Sequence, residues 1–145
     1  MTGWDVLQAA LPWVWVGMVL AISFLEAPLK FRAPGITIPL GVGIGRLVFR
    51  ALNAIELALA AAISVAVLAG DARTSGIWAA LAVAWIALAA KAGVVRPLMD
   101  RRARRVVAGE DAGPSRMHLW YVGLELVTVA AVGTLGVLSL DAIVG

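Results

Sequence analysis

The sequence predicts an all-α integral membrane bundle of four transmembrane helices, with both termini on the outer side (N-out/C-out). Three observations predict it: an apolar composition, four long runs almost free of charge, and a one-sided distribution of Lys and Arg. Of the 145 residues, 62% are hydrophobic and 14% charged, and the mean hydropathy is +0.95. Soluble domains average about 45–50% apolar and about 25% charged. A chain this short keeps too much surface exposed to hide such content from water. A bilayer accepts it. The length allows a single domain over residues 1–145.

A spanning helix needs about 20 mostly apolar residues to cross about 30 Å of hydrocarbon. The first span is expected over residues 6–27, since no charge falls between Val6 and Leu25. Pro12 is placed near its start, where a missing amide is tolerable, and Trp4, Trp13 and Trp15 suit the outer interface. Gly17 and Ala21 read as small residues marking close helix packing. No Lys or Arg precedes this run, so it is expected to be a retained span and not a cleaved signal.

Gly41-Val42-Gly43-Ile44-Gly45 resembles part of a dinucleotide loop but follows no strand of a βαβ unit. It reads as a flexible or re-entrant approach to the second span, residues 47–69, which carries Asn53 and Glu56. The stretch from Gly70 to Gly76 reverses the chain, with glycine at both ends. The third span, residues 77–97, contains Lys91, and Pro97 is expected to bend or stop it. A polar loop from Gly109 to Ser115 leads to the fourth span, residues 118–140, whose one charge is Glu125.

Lys30, Arg32, Arg46 and Arg50 belong to the first connection, and Lys91, Arg96, Arg101, Arg102, Arg104, Arg105 and Arg116 to the third. Only Arg73 lies on the other side. Because orientation follows Lys and Arg near helix ends, the rich side is expected in the cytoplasm, the chain being a multi-pass protein of the cell inner (plasma) membrane. So strong an asymmetry argues against a dual-topology exporter. It also accounts for the net charge of +3 without a nucleic-acid partner. The stretch Arg101–Arg105 is expected to sit beside anionic lipid heads at the cytoplasmic face. The absence of cysteine excludes disulfides, thiolate metal sites and cysteine nucleophiles.

A charged side chain at a span centre costs about 2.5–3.5 kcal/mol on insertion scales, so it seeks a partner or water. Glu56, Lys91 and Glu125 are such residues, with Glu26, Arg50, Asn53, Arg96, His118 and Tyr121 nearer the inner interface. At about 1.5 Å per residue, Glu56 and Glu125 fall at similar depth, close to Lys91. At about 100° per residue, Arg46, Arg50, Asn53 and Glu56 form one stripe of the second helix, and His118, Tyr121 and Glu125 one stripe of the fourth. The bland reading is an ion-pair network that only holds the helices together. The functional reading is a binding site in which the carboxylates cannot all stay ionised, so that one trades protons. Glu26, Glu56, His118 and Glu125 carry metal-ligand chemistry, but no Glu-x-x-His pair occurs and no metal is assigned. One histidine also excludes a bis-histidine haem.

Gly17, Phe24, Pro28 and Phe31, then Gly45-Arg46 and Phe49, Arg96-Pro97 with Met99, and His118 stand in the order seen in the four-helix DUF4149 (transmembrane protein 205-like) family, which the chain resembles. That resemblance implies a membrane protein loosely linked to export or tolerance of toxic solutes. It differs at Glu125, where the family tends to carry an amide. Arg50-Ala51-Leu52-Asn53-Ala54-Ile55-Glu56 is similar to the Arg-x-x-x-Asn-x-x-Glu of the membrane-associated eicosanoid and glutathione metabolism (MAPEG) family, with Arg50 one residue too close. A slip of one residue turns a helical side chain by about 100°. Arg46, seven before Asn53, also fits that pattern.

The leading expectation is binding or transport of a small solute or lipid. Glu56 and Glu125 would be the proton-responsive groups, with Asn53, Lys91, His118, Glu26, Arg50 and Tyr121 around them. The protein is expected to be a homo-oligomer, and no cofactor is assigned. The alternatives are a MAPEG-like enzyme acting on a lipophilic substrate, or an accessory subunit of a membrane complex.

Overall fold

The four apolar runs form four helices: α1 (Gly3–Lys30), α2 (Ile38–Ala69), α3 (Ser75–Val107) and α4 (Met117–Val144). The structure, a computed structural model, describes residues 1–111 and 116–145, so part of the loop expected over 109–115 lies outside the described residues. Thr2 opens α1 with a capping box: the Asp5 amide donates to Thr2 Oγ1 at 3.3 Å, and the Thr2 amide to Asp5 Oδ2 at 2.6 Å. Thr37 and Thr74 cap α2 and α3 by accepting from the amides of Leu40 and Ile77.

Each helix packs against two neighbours. α1 lies beside α2 and α4, and α3 beside the same two. Short connections make successive helices antiparallel. Their shared core is Trp15, Val19, Ala60, Ile63, Val67, Ile77, Leu81, Leu88, Val132 and Leu135. Large apolar side chains such as Leu57, Leu68, Ile86, Leu119 and Leu126 point outward, whereas Asp5, Gln8, Glu56, Lys91 and Glu125 are buried. Charge inside and leucine outside is the arrangement that an apolar solvent selects. The chain is a multi-pass membrane protein.

Three local expectations are corrected. α2 starts at Ile38, so the glycine run is helical and not a flexible or re-entrant approach. Thr37 caps it, Pro39 suits its first turn, and the glycines leave room for neighbours. A Cβ on Gly41 would stand 2.3 Å from the Phe31 ring, and one on Gly45 2.8 Å from Lys30 Nζ. Of the bend or stop expected at Pro97, the stop does not occur, because α3 runs on to Val107. A π-helical turn at Lys91–Val95 precedes Pro97, with the Arg96 amide bonded back to the Lys91 carbonyl. The same device, Leu20–Glu26 with the Ala27 amide on the Ile22 carbonyl, precedes Pro28 in α1. Proline removes an amide and crowds the carbonyl four residues back, and a widened turn relieves both. Pro12, by contrast, lies well inside α1, not near its start, because the helix begins at Gly3.

At the end opposite the arginine-rich one, Asp5 Oδ1 accepts from the amides of Asp71 (2.8 Å) and Ala72 (3.0 Å). Gln8 Nε2 donates to the Ala72 carbonyl (2.8 Å) and to Ser139 Oγ (3.1 Å). These bonds join α1, the α2–α3 turn and α4. The close helix contact falls at Gly136, where a Cβ would be 3.0 Å from the Trp13 indole. Gly17 and Ala21, expected to mark such packing, are exposed on the outer face of α1, and a Cβ at Gly17 would meet nothing within 4 Å.

Candidate functional site

Three helices bring one charged side chain each to the bundle axis. Glu56 of α2, Lys91 of α3 and Glu125 of α4 are all 0% exposed. Lys91 Nζ donates to Glu56 Oε1 at 2.6 Å and, by a still closer contact, to Glu125 Oε1. The remaining oxygens are treated unequally. Glu125 Oε2 accepts from Ser23 Oγ at 2.6 Å. Glu56 Oε1 also takes the Trp15 indole N–H at 2.9 Å, while buried Glu56 Oε2 has no hydrogen-bond partner among the described residues.

The π-helical turns position two of these groups. Ser23 lies within the first and Lys91 opens the second. Such turns recur at functional sites because they re-aim side chains that a regular helix would place elsewhere. Tyr121 closes the triad on the side toward the arginine-rich end. Its ring is 5.8 Å from Lys91 Nζ, its hydroxyl donates to Asn53 Oδ1 at 3.2 Å, and Phe49 packs edge-on against it.

Electrostatically the triad is incomplete. With all three groups ionised, two carboxylates face one ammonium, leaving one negative charge in a buried site. Burying unpaired charge is expensive.

Beside the triad is a cavity of about 480 Å³ lined by Ser23, by Phe24, Phe31, Phe49 and Val122, and by Lys30, Arg46, Arg96 and His118. Ser23 is therefore both cavity wall and donor to Glu125. A second cavity, about 530 Å³, is lined by Arg50, Asn53, Arg96, Asp100, Arg101 and Arg104.

The residues singled out in the sequence thus divide into four groups. Glu56, Lys91 and Glu125 meet directly, and Asn53 and Tyr121 form the layer beneath them. His118 lines the first cavity and Arg50 the second. Glu26 does not join the triad. It lies 3.7 Å from Lys30 one turn along α1. Among the described residues no group of three His, Cys, Asp or Glu side chains is placed to hold a metal ion.

Trp15 and Ser23 are site residues that the charge pattern of the sequence does not reveal. Trp15 is not at the outer interface: it is 1% exposed and bonded to Glu56. A signal was present, because Asp5, Gln8, Pro12, Trp15 and Val19 recur at alternating spacings of three and four, which is one buried stripe. The polar members at its start show that this face, although apolar further on, turns inward. No known protein family, curated protein or solved structure matches the chain.

Proposed function

We propose that the protein binds or transports a small solute or lipid, and that Glu56, Lys91 and Glu125 are the proton-responsive centre of that process. The observation that supports this reading is the pair of fully buried carboxylates sharing a single ammonium. Taking up one proton neutralises the triad, and releasing it restores the excess charge. Protonated Glu125 no longer holds Lys91 by charge, and its hydrogen bond from Ser23 weakens. Ser23 lines the first cavity, so occupancy there and protonation of the triad bias one another. In this reading the arginine-rich end faces the cytoplasm, and the protein works as an oligomer in the cell membrane.

The test uses purified protein in proteoliposomes enclosing a pH-sensitive dye, challenged with a panel of short-chain carboxylates, aromatic acids and amines. The wild type is expected to move protons with at least one of them, and Glu56→Gln and Glu125→Gln to abolish that movement. Uptake of every tested solute at wild-type rate by both variants would remove the proposal.

A further inference from the structure

The second cavity has a charge balance unlike the rest of the molecule. Its lining contains four guanidinium groups, from Arg50, Arg96, Arg101 and Arg104, and one carboxylate, Asp100. That carboxylate is already engaged. Arg46 Nε lies 2.6 Å from Asp100 Oδ1 and Arg104 Nη2 3.0 Å from Asp100 Oδ2. Arg96 donates instead to the Arg46 main-chain carbonyl at 2.7 Å and lies over the Phe49 ring. Among the described residues Arg50, Arg96 and Arg101 form no ion pair with a carboxylate. Three guanidinium groups without a carboxylate partner among the described residues therefore line one concave site.

From this geometry we infer that the cavity is a binding site for a phosphate-type anion, either a free phosphate or the phosphate of a lipid headgroup. Guanidinium is a planar fork of donors that matches phosphate oxygens in pairs and stays charged at every physiological pH. Arg50 on α2 and Arg101 on α3 stand on facing helices, so an anion between them also joins those helices at their basic ends. Asn53 supplies a further polar group. Its Oδ1 accepts from Tyr121, which directs its amide N–H groups elsewhere, and the residue borders the cavity. Arg96 lines both cavities, so an anion here acts on a wall of the first. The inference does not depend on the triad being proton-responsive.

The experiment measures binding to the purified full-length protein with two probes. Inorganic phosphate is titrated calorimetrically in detergent, and phosphatidic acid is retained on the protein in native mass spectrometry against phosphatidylcholine. Arg50→Gln and Arg101→Gln are each expected to weaken binding about tenfold or more, the loss of one charge-assisted contact. Arg105→Gln removes the same charge from the same helix but outside the cavity, where Arg105 pairs with Glu110, and is expected to leave binding unchanged. Affinity for inorganic phosphate identifies a free phosphate as sufficient. Retention of phosphatidic acid alone identifies the lipid. Either result, with the stated variant pattern, upholds the site. Failure of both probes, unchanged binding in Arg50→Gln and Arg101→Gln, or an equal loss in Arg105→Gln would overturn it.

Discussion

Replacing Lys91 by Met tests whether the triad is held by charge. The two side chains are similar in length, so Lys91→Met removes the ammonium with little change in packing. It leaves Glu56 and Glu125, both fully buried, facing each other without a cation. Removing one partner of a buried ion pair costs about 3–5 kcal/mol. At about 1.4 kcal/mol per decade that lowers the folding equilibrium constant by about two to four orders of magnitude. The triple variant Glu56→Gln, Lys91→Met, Glu125→Gln removes all three charges but keeps an amide oxygen for the Trp15 indole and for Ser23. Replacing a whole buried ion cluster by neutral groups is often neutral or stabilising, so this variant is expected to recover most of the loss. The assay is reversible unfolding in mixed micelles by an anionic detergent, followed by helical circular dichroism. A Lys91→Met protein within about 0.5 kcal/mol of wild type, the range of an inconsequential surface change, would refute the reasoning. So would a triple variant less stable than the single one.

Three further outcomes follow from the packing. Trp15→Phe deletes a donor to a buried carboxylate and is expected to cost about 1.5–3 kcal/mol in the same assay, against about 1 kcal/mol in a Glu56→Gln background. Asp5→Ala removes the α1 capping box, worth about 0.5–2 kcal/mol. It also frees the amides of Asp71 and Ala72, whose hydrogen exchange should accelerate while that of the arginine-rich end stays constant. Gly136→Val is expected to cost about 1–3 kcal/mol through overpacking, since its Cβ would be 3.0 Å from the Trp13 indole. Gly17→Val, directed into open space, should change unfolding little.

The span count was legible because it depends on length and hydropathy alone, and a bilayer imposes both. The angular grouping of Asn53 with Glu56, and of Tyr121 with Glu125, was legible for a similar reason: α2 and α4 are regular there, so a fixed rotation per residue applies. Helix ends were less legible. The start of α2 depends on Thr37 accepting one amide and on whether Phe31 and Lys30 come to lie against Gly41 and Gly45, which is a tertiary matter. Trp15 is not legible as a buried residue because tryptophan near a helix start is ordinarily interfacial, and its partner Glu56 lies far along the chain. Ser23 carries no distinguishing pattern. Its importance arises from a widened turn, which hydropathy does not register.

Those widened turns have a geometric consequence. Each inserts one surplus residue into an otherwise regular rod, just ahead of a proline that fixes its place. A surplus residue turns the side chains beyond it by about 100° relative to an uninterrupted α-helix, which sets where Ser23 and Lys91 point. α1 and α3 hold the two donors that meet Glu125, so both grips on that carboxylate come from widened turns. The acceptors Glu56 and Glu125 stand on uninterrupted α-helix. The irregular pair of helices thus supplies the donors and the regular pair the carboxylates.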